Sequence, residues 1–332
     1  MVRILSFFLL GTCYPGILPL CLAAGPLRLA AAQTTIEHAP LALALRDFYN
    51  GTFSIVNGGV ANIVGTSASA RAVDLAANAE TQALRQFARN RSLRLLLAVV
   101  ESTYRLIVRN GSGTIHSVAD LKGKRVASSN LSSAGYFVEK FLREKGGLER
   151  GAYTVVTNAG MCLRAPCGAN TYPGMLASGA VDAVGMWEPL GELSLRAAGG
   201  REKVAVFADK AVYREVYSLF TVQAKLDDPE RRASIVAFVR ALLRMQAVFD
   251  REPDKVIKRV ESLVNIDEGV LKAVWEDHSW KGELPDDLVD FMTEEDKYVA
   301  RLENRAAMKK EEIAKMVDPS VLREAMEAEG LH

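Results

Sequence analysis

Residues 120–147 read DLKGKRVASSNLSSAGYFVEKFLREKGG, and this stretch changes character twice. A short apolar run at Val126 and Ala127 predicts a buried strand over residues 125–128. Apolar residues then recur at helical spacing, which predicts a helix over residues 132–145. Four serines and an asparagine lie between the two elements, although a single Ser or Asn satisfies a helix N-cap. Two interpretations stay open: a polar loop with one capping residue, or a place where a ligand is held.

The composition is that of a globular protein, and it excludes some classes of function. The chain has 332 residues, of which 49% are hydrophobic and 24% are charged, and its formal net charge is +1. That length suffices for two lobes, each with its own core. A nearly neutral chain without a basic stripe has no strong electrostatic attraction to nucleic acid. We therefore expect no nucleic-acid partner.

Residues 1–32 predict a secretory signal peptide. Arg3 supplies a positive charge, residues 4–22 are almost wholly apolar, and small residues follow up to Ala32. A membrane anchor is the alternative, but two prolines interrupt the apolar run. We therefore expect cleavage near Ala32 and a secreted protein, which would be periplasmic in a bacterium and extracellular in a eukaryote.

Export changes how the four cysteines are interpreted. Cys13 and Cys21 lie in the predicted signal peptide, which leaves Cys162 and Cys167 in the mature chain. In an oxidising compartment an isolated close pair is typical of a disulfide. A zinc site would need further Cys or His ligands nearby, and none is near in sequence. We therefore predict a Cys162–Cys167 disulfide, no metal site and no cofactor.

Predicted strands and helices alternate along most of the chain. The pattern predicts strands near 34–39, 71–76, 93–100, 104–109, 125–128, 153–157, 181–187, 203–207 and 216–222, with helices near 81–90, 132–145 and 172–178. Such alternation is typical of an α/β fold with mostly parallel sheets. After Leu226 the chain is charged and helical to its end, which predicts a helical C-terminal tail.

One short pattern occurs twice. Residues 72–80 (AVDLAANAE) and 180–188 (AVDAVGMWE) carry Ala, Val, Asp and Glu at the same offsets. Each pattern ends in a glutamate, Glu80 or Glu188, just beyond a predicted strand. Ligands of open α/β sheets bind outside the carboxyl ends of the strands. Two lobes that each offer such a loop would form a ligand cleft between them.

Four segments, in this order, resemble the nitrate/sulfonate/taurine-type solute-binding proteins of ABC importers, within the periplasmic-binding-protein superfamily. The segments are 73–85 (VDLAANAETQALR), 93–109 (LRLLLAVVESTYRLIVR), 117–129 (SVADLKGKRVASS) and 175–189 (MLASGAVDAVGMWEP). The resemblance covers residues 34–300. The loop MCLRAPCGAN is longer than in that family's pattern and carries the cysteine pair.

The resemblance implies a two-lobed, type II fold with two β crossovers, in which hinge closure encloses a ligand. Transferred to this chain, it places lobe 1 at residues 33–107 and 218–332 and lobe 2 at residues 108–217. It also favours the ligand interpretation of the serine-rich loop. The candidate ligand-binding residues are Asn78, Glu80, Thr81, Ser128, Ser129, Asn130, Ser132, Ser133, Trp187 and Glu188.

The candidate residues predict the character of the ligand. Hydroxyls at a helix N-terminus favour an anionic or accepting group. Glu80 and Glu188 favour a cationic or N–H-bearing group on the same ligand, as in taurine-like zwitterions or amino-heterocycles. The alternative is that both glutamates merely cap helices and that Trp187 belongs to a lobe core.

The expected function is capture of a small polar organic ligand by a monomeric exported protein, for an ABC permease if one exists. No nucleophile elbow, Walker loop, HExxH or paired-carboxylate motif is found in the sequence, so we expect no enzyme. Two alternatives stay open. One is an enzyme like the thiamine-pyrimidine synthases, although the resemblance implies a cytosolic protein with a dense cysteine cluster. The other is a secreted binding protein without a transporter.

Overall fold

The described part of the chain forms two β-sheets surrounded by helices. The computed structural model describes residues 24–111 and 113–331. No helix in this part of the chain is long and apolar enough to cross a membrane. Most of the predicted signal peptide, residues 1–23, lies outside the described residues.

The larger sheet forms the core of the first lobe. Its strands are β1 (Leu27–Ala31), β2 (Phe53–Asn57), β3 (Leu75–Asn78), β4 (Leu93–Thr103), β10 (Arg214–Val222) and β11 (His278–Ser279). Their order across the sheet is β11-β4-β10-β3-β1-β2. β1 pairs in parallel with β2 and β3, whereas β10 runs antiparallel to β3 and β4. The carboxyl ends of β1, β2 and β3 therefore meet at one edge of the sheet.

The smaller sheet forms the core of the second lobe. Its strands are β5 (Arg105–Arg109), β6 (Arg125–Ala127), β7 (Thr154–Val156), β8 (Ala183–Met186) and β9 (Val204–Phe207), in the order β7-β6-β8-β5-β9. β6 pairs in parallel with β7 and β8, and β5 runs antiparallel to β8 and β9. This sheet has the same plan as the first, with a parallel centre next to an antiparallel strand.

The helices cover both sheets. Their bounds are α1 His38–Asp47, α2 Ala68–Arg71, α3 Glu80–Arg89, α4 Ser133–Gly146, α5 Tyr172–Ser178, α6 Leu190–Ala197, α7 Gln223–Leu226, α8 Pro229–Arg251, α9 Pro253–Val264, α10 Glu268–Val274, α11 Leu288–Leu302, α12 Lys310–Ala314 and α13 Ser320–Glu329. The long helix α8 begins where Asp228 caps the amides of Glu230 and Arg231, with Pro229 at its first position. The predicted helical tail is confirmed.

Two crossovers join the lobes. Only Tyr104 separates β4 of the first sheet from β5 of the second, and residues 208–213 return the chain from β9 to β10. The predicted two-lobed α/β fold with two β crossovers is therefore confirmed. The exact lobe boundaries stay a prediction.

The structure corrects the sequence analysis at the N-terminal end. Residues 34–39 form turns and the start of α1, so the strand predicted there is wrong. The strand lies earlier, at Leu27–Ala31, where it is buried and pairs with two neighbours. A chain cut near Ala32 would lack this strand, which lies between β2 and β3. The cleavage position and the lobe start at residue 33 stay predictions. An apolar leader and a buried parallel strand have the same composition, which explains the error.

Helix α11 lies across both lobes. Glu303, next to its end, accepts bonds from Arg85 and Arg89 of α3 in lobe 1, both at 2.9 Å. On the other side, Arg301 pairs with Glu139 of α4 in lobe 2 at 2.5 Å. The apolar face of α11 belongs to a cluster of buried residues that is continuous through both lobes. The lobes are therefore held together in this state.

Candidate ligand site between the lobes

The serine-rich loop after β6 is held mainly by hydrogen bonds within lobe 2. Ser132 caps α4 by accepting a bond from the Gly135 amide, and its hydroxyl donates to the Ser129 carbonyl at 2.7 Å. The buried Ser128 donates to the Gly185 carbonyl of β8 at 2.9 Å. One capping residue therefore suffices for the helix, as the simpler interpretation of the loop requires.

The loop also meets the first crossover and a cavity. The hydroxyls of Ser133 and Tyr104 lie 2.9 Å apart, and both side chains are buried. Ser129 and the exposed Asn130 line a cavity of about 380 Å³. The same cavity is lined by Tyr298 of α11, so it lies where helix α11 approaches lobe 2.

The first copy of the repeated pattern ends in a buried glutamate tied to the second crossover. Glu80 accepts bonds from the Tyr213 hydroxyl at 2.6 Å and from the Val216 amide at 3.1 Å. It is the first residue of α3, and the N-cap before it, Ala79, makes no side-chain cap. The buried Thr81 hydroxyl beside it has no partner within the described residues. Asn78 ends β3 and accepts a bond from the next amide.

The second copy ends in a neutralised glutamate. Glu188 accepts a bond from Arg105 at 2.6 Å and a second one from the Glu192 amide of α6 at 2.9 Å. Arg105 also lies 3.4 Å from Glu192. Glu188 therefore caps a helix and closes a buried ion pair, which is the alternative weighed for it. Trp187 is half-buried and packs against the core.

The structure brings Glu80 together with three glutamates that the sequence analysis missed. We call Glu37, Glu80, Glu215 and Glu295 the carboxylate cluster. They come from the loop after β1, the start of α3, the start of β10 and the middle of α11. All four are at most 4% exposed. No Lys, Arg or His within the described residues forms an ion pair with any of them.

Burial shifts the titration of every member of the carboxylate cluster. It raises the pKa of Glu37 to about 6 and raises the pKa of Glu80. Burial, and then the charges of Glu37 and Glu80, hold the pKa of Glu215 well above its usual range. Burial, and then Glu80 and Glu215, do the same to the pKa of Glu295. Burial therefore disfavours the charged form of all four carboxyls.

Tyrosines surround the cluster. The Tyr104 hydroxyl donates to Glu215 at 2.8 Å, and Ser102 donates to the same carboxyl at 3.0 Å. The rings of Tyr104 and Tyr213 meet edge to face, with centroids 5.1 Å apart. Both crossovers therefore contribute a tyrosine to the same buried region. A site of apolar rings with a few convergent polar groups is the usual form of a small-molecule site.

The missed glutamates carried little signal. Glu37 lies in a segment predicted as a strand, and Glu215 begins a strand that looks like ordinary buried sheet. Glu295 stands in the acidic run TEED of a charged tail. Its spacing was informative, however, since Met292 and Val299 lie three residues before it and four after it. That places Glu295 on the apolar face of its helix, where burial of a carboxylate is costly unless it has a partner.

The predicted disulfide is present, and it shapes a loop that touches the other lobe. Cys162 and Cys167 are bonded, with their Cα atoms 5.7 Å apart. Between them, Arg164 donates to Asn265 at the end of α9 at 3.0 Å and to Glu261 at 3.4 Å. In residues 24–111 and 113–331, no group of three or more His, Cys, Asp or Glu is placed to hold a metal ion.

Comparison with known proteins agrees with this geometry. The family model described as NMT1/THI5 like matches residues 54–255, which is more than half of the chain. The chain belongs to the NMT1/THI5-like family. A search of the curated proteins finds no significant match to this NMT1/THI5-like chain. Helix α11 and its Glu295 lie outside the matched residues.

Solved structures of sulfonate- and nitrate-binding proteins share the fold of this NMT1/THI5-like chain. A putative sulfonate-binding SsuA from Methylobacillus flagellatus KT is 17% identical, with TM-score 0.70 over 93% of this chain and 96% of that chain. The nitrate-binding NrtA from Synechocystis PCC 6803 is 10% identical, with TM-score 0.65 over 92% and 89%. The predicted resemblance is therefore confirmed.

An enzyme also shares the fold. The desulfurization enzyme DszB, in complex with biphenyl-2-sulfinic acid, is 14% identical, with TM-score 0.63 over 92% of this chain and 99% of that chain. At these identities the likeness shows the fold alone. The two-lobed frame of the NMT1/THI5-like chain therefore serves both binding proteins and catalysts.

Proposed function

We propose that the protein is an exported solute-binding protein that encloses a small polar organic ligand between its lobes. The observation that carries this proposal is the buried carboxylate cluster at the junction of both crossovers, where hinge motion would open and close a site. Binding proteins with this fold support the proposal. An ABC permease would receive the ligand if the host has one, and a secreted binding protein without a transporter is the variant of the same function.

The ligand carries an N–H-bearing or cationic group. Four buried carboxyls without a basic partner in the described residues offer no positive charge to an inorganic anion such as nitrate. The cavity beside Ser129 and Asn130 is also lined by Arg150 and by none of the four glutamates, and it offers donors for an accepting group. A zwitterion such as taurine, or an amino-heterocycle, combines both features.

Export belongs to the same proposal. The apolar residues 4–22 remain those of a signal peptide. Because β1 is needed in the sheet, we place the cleavage before Leu27. N-terminal sequencing of the secreted protein should give a start ahead of that residue, and a start at Gln33 would contradict the strand.

Native mass spectrometry of the purified full chain tests the binding function directly. A bound small molecule of fixed mass is expected, and its removal and return should change the radius of gyration in solution scattering. Taurine, 4-aminopyridine and sodium nitrate serve as added probes, with compaction expected for the first two. Turnover of a bound molecule at enzymatic rates would favour the enzyme instead.

Two matched variants separate binding from capping. Glu80→Gln removes the charge that no described cation pairs, so it should weaken probe binding. Glu188→Gln removes a charge that Arg105 already neutralises, so it should lower stability with little effect on affinity. Equal affinities in both variants and the wild type would remove Glu80 from the site.

A further inference from the structure

Helix α11 closes the region between the lobes, and it comes from the C-terminal part that the family model leaves unmatched. Asp287, just before the helix, pairs with Arg214 after the second crossover at 2.6 Å. Phe291 packs on the Tyr213 ring, and Tyr298 packs on Tyr136 of lobe 2 with ring centroids 5.5 Å apart. The helix therefore contacts lobe 1, lobe 2 and a crossover at once.

Glu295 stands in the middle of this helix without a partner. Its side chain is fully buried, and neither carboxyl oxygen has a hydrogen-bond partner within the described residues. The buried hydroxyls of Thr81 and Tyr136 are also without partners there. Buried polar groups are almost always satisfied, so three orphans around one cluster need an explanation. A ligand that donates to Glu295 would supply it.

The charges that face Glu295 are mainly acidic. Glu80 from α3 and Glu215 from β10 raise its pKa, and Lys140 from α4 opposes them. The phenols of Tyr136, Tyr213 and Tyr298 also face it. Its helical neighbour Asp296 is already paired with Arg305 and bonded to the Met308 amide. The Glu295 carboxyl therefore lacks both a hydrogen-bond donor and a paired cation, and a ligand with a positively charged N–H group would supply both.

We propose that Glu295 is a ligand-binding residue on a clamping helix, and that it selects a ligand with a cationic N–H group such as an ammonium, amidinium or protonated amino-heterocycle. The proposal rests on the binding function above and adds the residue and the charge that decide specificity. An oxyanion would lie against four carboxyls that no described cation pairs, whereas a cation with N–H donors would satisfy the unpartnered oxygens of Glu295. Specificity for a cation would distinguish this chain from the sulfonate- and nitrate-binding structures that share its fold.

Calorimetry on the full chain tests the proposal with four probes: guanidinium, benzamidinium and 4-aminopyridinium as cations, and methanesulfonate as the anion. At least one cation should bind the wild type. Glu295→Gln should weaken that cation at least about tenfold, the loss expected for one charge-assisted hydrogen bond. Glu294→Gln is the matched control, because Glu294 is a half-exposed neighbour on the same helix. It should change the affinity less than about twofold.

Proton release provides a readout that a purely structural role would not move. Binding of the cation in two buffers of different ionisation enthalpy gives the number of protons released. The wild type should release protons, and its affinity should rise with pH, since the cation displaces protons from the cluster. Glu295→Gln should release fewer protons than the wild type, while Glu294→Gln should match it.

The possible failures are distinguishable. Equal affinity and proton release in Glu295→Gln and the wild type would overturn the role of Glu295 and leave the binding function standing. Preference for methanesulfonate, or no binding of any cation, would overturn the cationic specificity. If native mass spectrometry also finds no bound molecule and no probe changes the radius of gyration, the proposed function falls as well.

Discussion

The two copies of the repeated pattern share a backbone frame and differ in how their final glutamate is neutralised. Asp74 bonds the Arg28 amide at 2.9 Å, and Asp182 bonds the Arg125 amide at 2.8 Å. In each copy the Asp amide also donates back to the carbonyl of the same arginine at 2.8 Å. The repeated Asp therefore fixes the start of the central parallel strand in each lobe.

Beyond that frame the copies diverge. Glu188 of lobe 2 is paired with Arg105, whereas Glu80 of lobe 1 has only neutral donors. Arg214 is the cation that lowers the pKa of Glu80, but it forms its ion pairs with Glu101 and Asp287. Glu188 is therefore paired with a cation, whereas no cation within the described residues forms an ion pair with Glu80. Equal sequence patterns at equivalent strand ends do not predict equal roles.

The largest expected loss of stability comes from removing the Arg105–Glu188 ion pair of the second copy. Arg105→Met leaves Glu188 buried without its cation, while Glu192 keeps its bond to Arg196 at 2.8 Å. Losing one partner of a buried pair costs about 3–5 kcal/mol. Urea unfolding should show this loss in the free energy of unfolding. The exposed Arg109→Met on the same strand is the control, with a change within about 0.5 kcal/mol.

A double variant sharpens that result. Adding Glu188→Gln to Arg105→Met removes the stranded charge, so part of the lost stability should return. If the double variant is no more stable than Arg105→Met, the ion pair is not what distinguishes the second copy.

The shared frame predicts the next effect. Asp74 is buried and also pairs with Lys225 at 2.9 Å, while the side chain of Asp182 is 32% exposed. Asp74→Asn should therefore lower the free energy of unfolding by about 1.5–3 kcal/mol, as for a buried charge-assisted bond. Asp182→Asn should cost less, because solvent screens the exposed pair. Thermal unfolding of both variants measures the order, and a reversed order would refute the burial argument.

A third effect concerns the lobe 2 loop that reaches lobe 1. Replacing both Cys162 and Cys167 by Ser should lower the free energy of unfolding by about 2 kcal/mol, from the small loop that the disulfide closes. Reduction of the wild type should have the same effect in urea unfolding. A reduced protein as stable as the oxidised one would show that Arg164 and its partners hold the loop unaided.

The sequence predicted what depends on local chemistry. The apolar pair before a serine cluster marked β6 and the start of α4 within one residue, because strand ends and N-caps are set by nearby side chains. It could not distinguish β1 from a leader, since both are short apolar runs. Nor could it assemble the carboxylate cluster, whose four members lie up to 258 residues apart, between Glu37 and Glu295. The fold of lobe 1 brings Glu37, Glu80 and Glu215 together, and the packing of α11 adds Glu295.

The smallest expected effect is the pH dependence of stability that the carboxylate cluster produces. The pKa values of Glu37, Glu80, Glu215 and Glu295 are all raised in the folded state. A raised carboxyl pKa means that the folded state binds protons more tightly than the unfolded chain. Its contribution to stability is therefore fully present below the ordinary pKa near 4.5 and is lost as pH rises. The melting temperature of the ligand-free protein should fall between pH 5 and pH 8.

Glu215→Gln should make that fall shallower, because one proton-binding group is removed while Gln still accepts a bond from Tyr104. About 1 kcal/mol corresponds to about 2–4 °C, so the variant should gain about that much on the wild type at pH 8. Glu188→Gln breaks an ion pair instead, so it should lower the melting temperature at both pH values and keep the wild-type slope. If the melting temperatures of Glu215→Gln and the wild type fall equally with pH, the cluster does not bind protons in the folded state. The contrast between Glu80 and Glu188 would then not support a cationic ligand.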